Sequence, residues 1–130
     1  MLHWLLGDTR LVGRWRSDRE RTATELAART DMPDHQKRKL ASLFGKLELR
    51  YTRWRCYSTF DGTTDWAWYR VVAKDDDSVV LVSRWVIKME GRSLGRVRNL
   101  CHIHFEDDSY YWVTLGSSNL REFFLRVDSA

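Results

Sequence analysis

Trp54-Arg-Cys-Tyr-Ser-Thr-Phe60-Asp61-Gly62-Thr63-Thr-Asp-Trp-Ala-Trp-Tyr69 reads as two strands joined by a two-residue turn. A type I′ hairpin turn needs positive φ at both central residues, which Asp-Gly supplies. The turn sets Phe60 opposite Thr63, Tyr57 opposite Trp66, Cys56 opposite Ala67, Arg55 opposite Trp68 and Trp54 opposite Tyr69. One face then carries Trp54, Cys56, Ala67 and Tyr69, the other Arg55, Tyr57, Trp66 and Trp68.

Extending backward, 46–60 is read as one strand. An unbroken register would throw Leu47, Leu49 and Tyr51 onto the arginine face, so a β-bulge is expected at Thr52-Arg53. It sets Leu49 against Ala73 and Tyr51 against Val71. Forward, strands are expected at 63–74, 78–88, 96–106, 109–115 and 120–127, separated by Asp75–Asp77, Glu90-Gly91 through Gly95, Asp107-Asp108 and Gly116–Asn119. The Asp107-Asp108 turn places Phe105 opposite Tyr110, Ile103 opposite Trp112 and Cys101 opposite Thr114. In 78–88 the bulkier set (Val79, Leu81, Ser83, Trp85, Ile87) is assigned to the interior. The other register would turn Arg84 inward.

Toward the N-terminus, 11–16 is a further strand, making seven. Ser17-Asp-Arg-Glu20 has capping-box spacing and opens a helix over 18–29. Pro33 opens a second over 33–44, and Gly45 ends it. A long antiparallel meander removes its edges by closing. The expected fold is therefore all-β, a single antiparallel up-and-down barrel over residues 1–130 with a helix-turn-helix after the first strand. Leu2–Leu5 is a candidate for an added strand.

Gly13-Arg14-Trp15 on the first strand, with Arg126 on the last, resembles the calycin superfamily of lipocalins and fatty-acid-binding proteins. The resemblance implies that Trp15 closes one barrel end under a C-terminal arginine, Arg126 or alternatively Arg121, through a cation–π contact. The two helices look like a fatty-acid-binding-protein lid. Small lipocalin-like bacterial domains are the nearest likeness.

The chain carries 22 Lys and Arg against 18 Asp and Glu, seven tryptophans and two cysteines. The widely spaced Cys56 and Cys101 read as free thiols of a cytoplasmic protein. No run is long enough to span a bilayer. The inferred lumen combines aromatic walls with hydrogen-bonding groups: Tyr51, Trp54, Tyr69, Ser83, Trp85, Asn99, Tyr110 and Trp112, together with Cys56, Cys101 and Thr114. The expected function is non-catalytic binding of a small, partly hydrophobic molecule, with no cofactor. A small lyase or isomerase on the same lumen is the alternative, although no inward carboxylate is identified as a general base. A protein-interaction module with a filled barrel is the third reading.

His102-Ile-His104 places two imidazoles on one strand face, with no further carboxylate or histidine nearby except Glu106 on that face, so no metal is expected. None of His35, His102 and His104 falls in the lumen, where a haem would need it. The outer patch of Tyr57, Trp66 and Trp68 beside Arg55 suits a homodimer contact. It could also stack nucleobases, but nucleic acid is not expected, because Asp and Glu interrupt every basic stretch.

Overall fold

The computed structural model describes residues 8–115 and 119–127, and the side chains of 87–89 and 94 lie outside that description. Its elements are β1 (Gly13–Ser17), α1 (Arg19–Ala27), α2 (Asp34–Ala41), β2 (Leu47–Tyr51), β3 (Arg55–Phe60), β4 (Thr63–Lys74), β5 (Ser78–Met89), β6 (Arg92–Phe105), β7 (Tyr110–Leu115) and β8 (Leu120–Val127). Each strand pairs antiparallel with the next, and β8 returns to β1, giving a closed eight-stranded barrel. The architecture expected from the sequence is the one found. Leu2–Leu5 and the 116–118 turn lie outside the described residues. Among those described, no helix is long and apolar enough to cross a membrane.

The β3–β4 hairpin has the expected register, from Phe60↔Thr63 to Arg55↔Trp68, with Asp61 and Gly62 both at positive φ. Val79, Leu81 and Ser83 are buried and Arg84 is exposed, so β5 takes the bulkier inward face.

The segment 46–60 is not one bulged strand. It is a second hairpin, in which Leu47 pairs with Phe60 and Tyr51 with Cys56. The reversal lies at Thr52–Trp54, where Thr52 Oγ1 accepts hydrogen bonds from the Trp54 and Arg55 amides at 3.3 and 3.0 Å. A threonine side chain replaces the glycine that usually signals a turn. Leu49 therefore pairs with Trp15 and Ser58, not with Ala73. This split supplies the eighth strand.

Between β6 and β7 the register is one residue away from expectation: Phe105 pairs with Tyr111 and His104 with Trp112. Asp107 Oδ1 accepts from the amides of Ser109 and Tyr110, and the Glu106 amide donates to the Tyr110 carbonyl. The loop is thus wider than the Asp-Asp pair alone. A one-residue slip turns every side chain over. Tyr111 faces inward, and Tyr110, Trp112 and Thr114 face out. The β5–β6 turn is also tighter than expected, with Met89 paired to Arg92 around Glu90-Gly91.

Asp18, not Ser17, caps α1 by accepting from the Arg21 amide. Ser17 instead donates to Glu122 and accepts from the Gly45 amide. Leu26 and Phe44 pack with Leu120 into a satellite core at the helical end of the barrel. The main core fills the opposite end, where Leu11, Trp15, Val79, Ile103, Tyr111 and Phe124 are at most 2 % exposed.

Candidate functional site

Gly13, Trp15 and Arg126 come together as the resemblance implied. Trp15 and Arg126 are paired on β1 and β8, and the guanidinium carbon lies 4.3 Å from the indole centroid. The guanidinium also donates to the carbonyls of Arg10, Val12 and Asp108. The indole N–H donates to the Leu11 carbonyl at 2.9 Å. These bonds lock the chain entry over the barrel end. Arg121, the other candidate, is held by Glu25 on α1.

The interior next to this plug is aromatic and packed. Trp15 and Tyr111 are 4.6 Å apart, Tyr111 and Phe124 5.0 Å, and Tyr51 meets Tyr69 edge to face at 5.6 Å. The buried Tyr111 hydroxyl lies beside Tyr51 without a hydrogen bond of good geometry. Burial pushes the Cys56 thiol up to about 12 and the Cys101 thiol up to about 11, so both stay protonated and are poor nucleophiles.

Glu122 is the inward carboxylate that the sequence reading did not identify. It is 7 % exposed, and its partner is the Ser17 hydroxyl at 2.7 Å. Burial raises its carboxyl above the usual range, against the opposing effect of the Ser17 hydrogen bond. The folded state therefore favours the protonated acid. The stability that this contributes is present below the unfolded-state pKa and is lost as pH rises through the folded one. Glu122→Gln keeps an acceptor for Ser17 and removes the titration. In urea unfolding at pH 4, 6 and 8, the variant should gain on the parent as pH rises. A pH-independent difference would rule out a strained carboxylate.

An opening in the barrel wall lies elsewhere. The β4–β5 ladder runs from Lys74↔Val79 only as far as Trp68↔Arg84. Beyond that pair, β4 stays on β3 and β5 stays on β6, so the wall parts. A cleft of about 820 Å³ lies there, lined by Asp65, Ala67, Tyr69 and Trp85 of the inward-facing set and by Trp66, Trp68, Arg70, Arg84, Arg96 and Arg98 among the outer set. The Trp85 indole N–H is tethered to Ser83 Oγ at 2.9 Å.

Of the eight predicted wall residues, the cleft gathers Tyr69 and Trp85, and Ser83 fixes the latter. Asn99 pairs with Ser83 on the inner side but is exposed, and Tyr51 is buried in the packed core. Trp54 sits in the Thr52–Trp54 reversal and is 49 % exposed, not walled in. Tyr110 and Trp112 face outward because of the β6–β7 slip. Trp112 stacks on His104 at 4.0 Å.

The His102 and His104 rings lie 3.9 Å apart with their planes tilted by 35°, and His102 is bonded to Ser78 Oγ. Among the described residues, no three His, Cys, Asp or Glu side chains converge as metal ligands. Comparison with protein families, with curated proteins and with solved structures finds no match to this chain.

Proposed function

We propose that the chain is a calycin-like barrel that binds a small, partly apolar molecule non-catalytically in the β4–β5 cleft. The carrying observation is the opening itself: about 820 Å³ with Tyr69 and Trp85 on its inner wall. Small-molecule sites are concave, aromatic-lined and supplied with a few polar groups. Trp85 is oriented before any ligand arrives, because Ser83 holds its indole, and a pre-ordered ring costs less entropy on binding. The free thiols fit a reducing cytoplasm.

The test is a titration with N-phenyl-1-naphthylamine, an uncharged apolar probe, followed by its emission. Trp85→Ala is expected to weaken binding at least tenfold. Equal binding by the parent and the variant, or no binding by the parent, would overturn the reading.

Glu122 favours a second reading, a lyase or isomerase with a buried acid–base group held by the Ser17 hydroxyl. That reading requires a substrate to reach the helical end of the barrel, where Leu26, Phe44 and Leu120 are packed. A turnover that survives Glu122→Gln would dismiss Glu122 as its acid–base group.

A further inference from the structure

We propose that the outer face of β3–β6 binds single-stranded nucleic acid. Along the chain, acidic residues interrupt the basic ones, but the pleat sorts them. The outward positions of these four strands carry Arg55, Arg70, Arg84, Arg96 and Arg98 and no Asp or Glu. The rest of the chain holds 17 Lys and Arg against 18 Asp and Glu, so the net positive charge belongs to this face.

None of the ion pairs among the described residues involves these arginines. Arg84 and Arg98 stand directly opposite each other across β5 and β6. Like charges in that position repel, and an anion between them would relieve the repulsion. Arg55, Trp68, Arg84 and Arg98 form one row across four strands, about 14 Å long at ~4.8 Å per strand. That row can follow several phosphates.

Trp66 and Trp68 supply the other half of the recognition. Their rings are 47 % and 51 % exposed, lie edge to face at 5.5 Å, and have the Arg55 guanidinium over both at 5.0 and 4.7 Å. Four arginines line the cleft against one carboxylate, Asp65. Exposed aromatic rings beside such a cationic excess are how sequence-tolerant single-strand binders work, the bases stacking while the arginines track the backbone. A second copy of the chain is a poor occupant. A two-fold contact brings a second set of the same arginines to the interface and no carboxylate from these outward positions to offset them, whereas a nucleic acid brings the opposite charge. A flat anionic bilayer does not enter a cleft. The inference goes beyond the small-molecule reading. The two share Trp66, Trp68, Arg70, Arg84, Arg96 and Arg98 at the cleft mouth, which a bound strand would cover.

The experiment is fluorescence anisotropy with labelled twelve-nucleotide oligo(dT) and oligo(U) over a range of salt concentrations. Arg84→Glu with Arg98→Glu is expected to weaken binding at least tenfold and to flatten the salt slope by roughly 1.4, at about 0.7 for each phosphate no longer neutralised. Trp66→Ala with Trp68→Ala should weaken it about tenfold or more while leaving the slope in place. Arg38→Glu with Lys39→Glu, an equal charge change on exposed α2 positions, should cost less than threefold. Circular dichroism confirms that each variant is folded. The proposal is overturned if the parent binds neither oligonucleotide, or if both charge reversals weaken binding equally. Loss of the indoles without effect, phosphatidylserine vesicles bound in place of the oligonucleotides, or a dimer that buries Trp66 and Trp68 would overturn it too.

Discussion

Trp15→Ala should lower the free energy of unfolding by about 3–5 kcal/mol, the usual cost of emptying a tryptophan site in a core that collapses only partly. Trp15 is fully buried and holds up much of what surrounds it. Tyr111 packs on one side of its ring, Phe105 lies at 6.5 Å, and the Arg126 guanidinium sits over it. Removal leaves a cavity and takes the π-face from a cation that is partly withdrawn from water. A domain of this size is stable by only about 5–15 kcal/mol, so the variant should sit near its folding threshold. Trp15→Phe separates the contributions. It retains a ring for Arg126 but loses the hydrogen bond to Leu11 and part of the volume, and about half of the loss is expected. Urea unfolding of the three proteins measures both steps. A loss below about 1 kcal/mol for Trp15→Ala would mean that the end closes without its plug.

The plug was legible because its parts are unusual in sequence: a glycine two residues before a tryptophan on the first strand and an arginine on the last. The Asp61-Gly62 hairpin was legible because positive φ at two successive residues leaves few alternatives. Other turns are set by side chains that give weaker signals. Thr52 folds β2 back on β3 through its hydroxyl, and the parity conflict at that point was real but has two solutions, a bulge or a reversal. Asp107 widens the β6–β7 loop by one residue, which exchanges Tyr110 and Trp112 for Tyr111 and Val113 on the inner face.

The candidate site was less legible than the fold. Trp85 and Tyr69 follow from the register, but the parting of β4 from β5 leaves no mark on residues that read as ordinary strand. The same applies to charge. Interleaved acidic and basic residues look neutralised along the chain, yet alternation with period two sends Asp65 to one face and Trp66, Trp68 and Arg70 to the other. Glu122 escaped notice because its burial depends on Ser17 and on the helices packed over that end, neither of which is local to β8.

Gly13→Ala tests why the glycine of that motif is there, and a loss of about 3 kcal/mol is expected. Its φ is +138°, a conformation that costs a side-chain-bearing residue about 1–3 kcal/mol. A Cβ placed there would also lie 2.5 Å from Arg126 Nη1, well inside contact distance. The guanidinium is not at liberty to retreat, because it is fastened to three carbonyls and stacked on Trp15. Crowding a packed site of this kind adds about 1–3 kcal/mol. The two causes separate in a double-mutant cycle. In an Arg126→Ala background the steric cost disappears and only the backbone cost remains, so Gly13→Ala should be milder there by at least 1 kcal/mol, within the usual range for groups in contact. Strictly additive losses would show that Gly13 serves the backbone alone. A coupling of the expected sign would make the glycine the space into which the closing arginine fits, and the motif a single device of three residues.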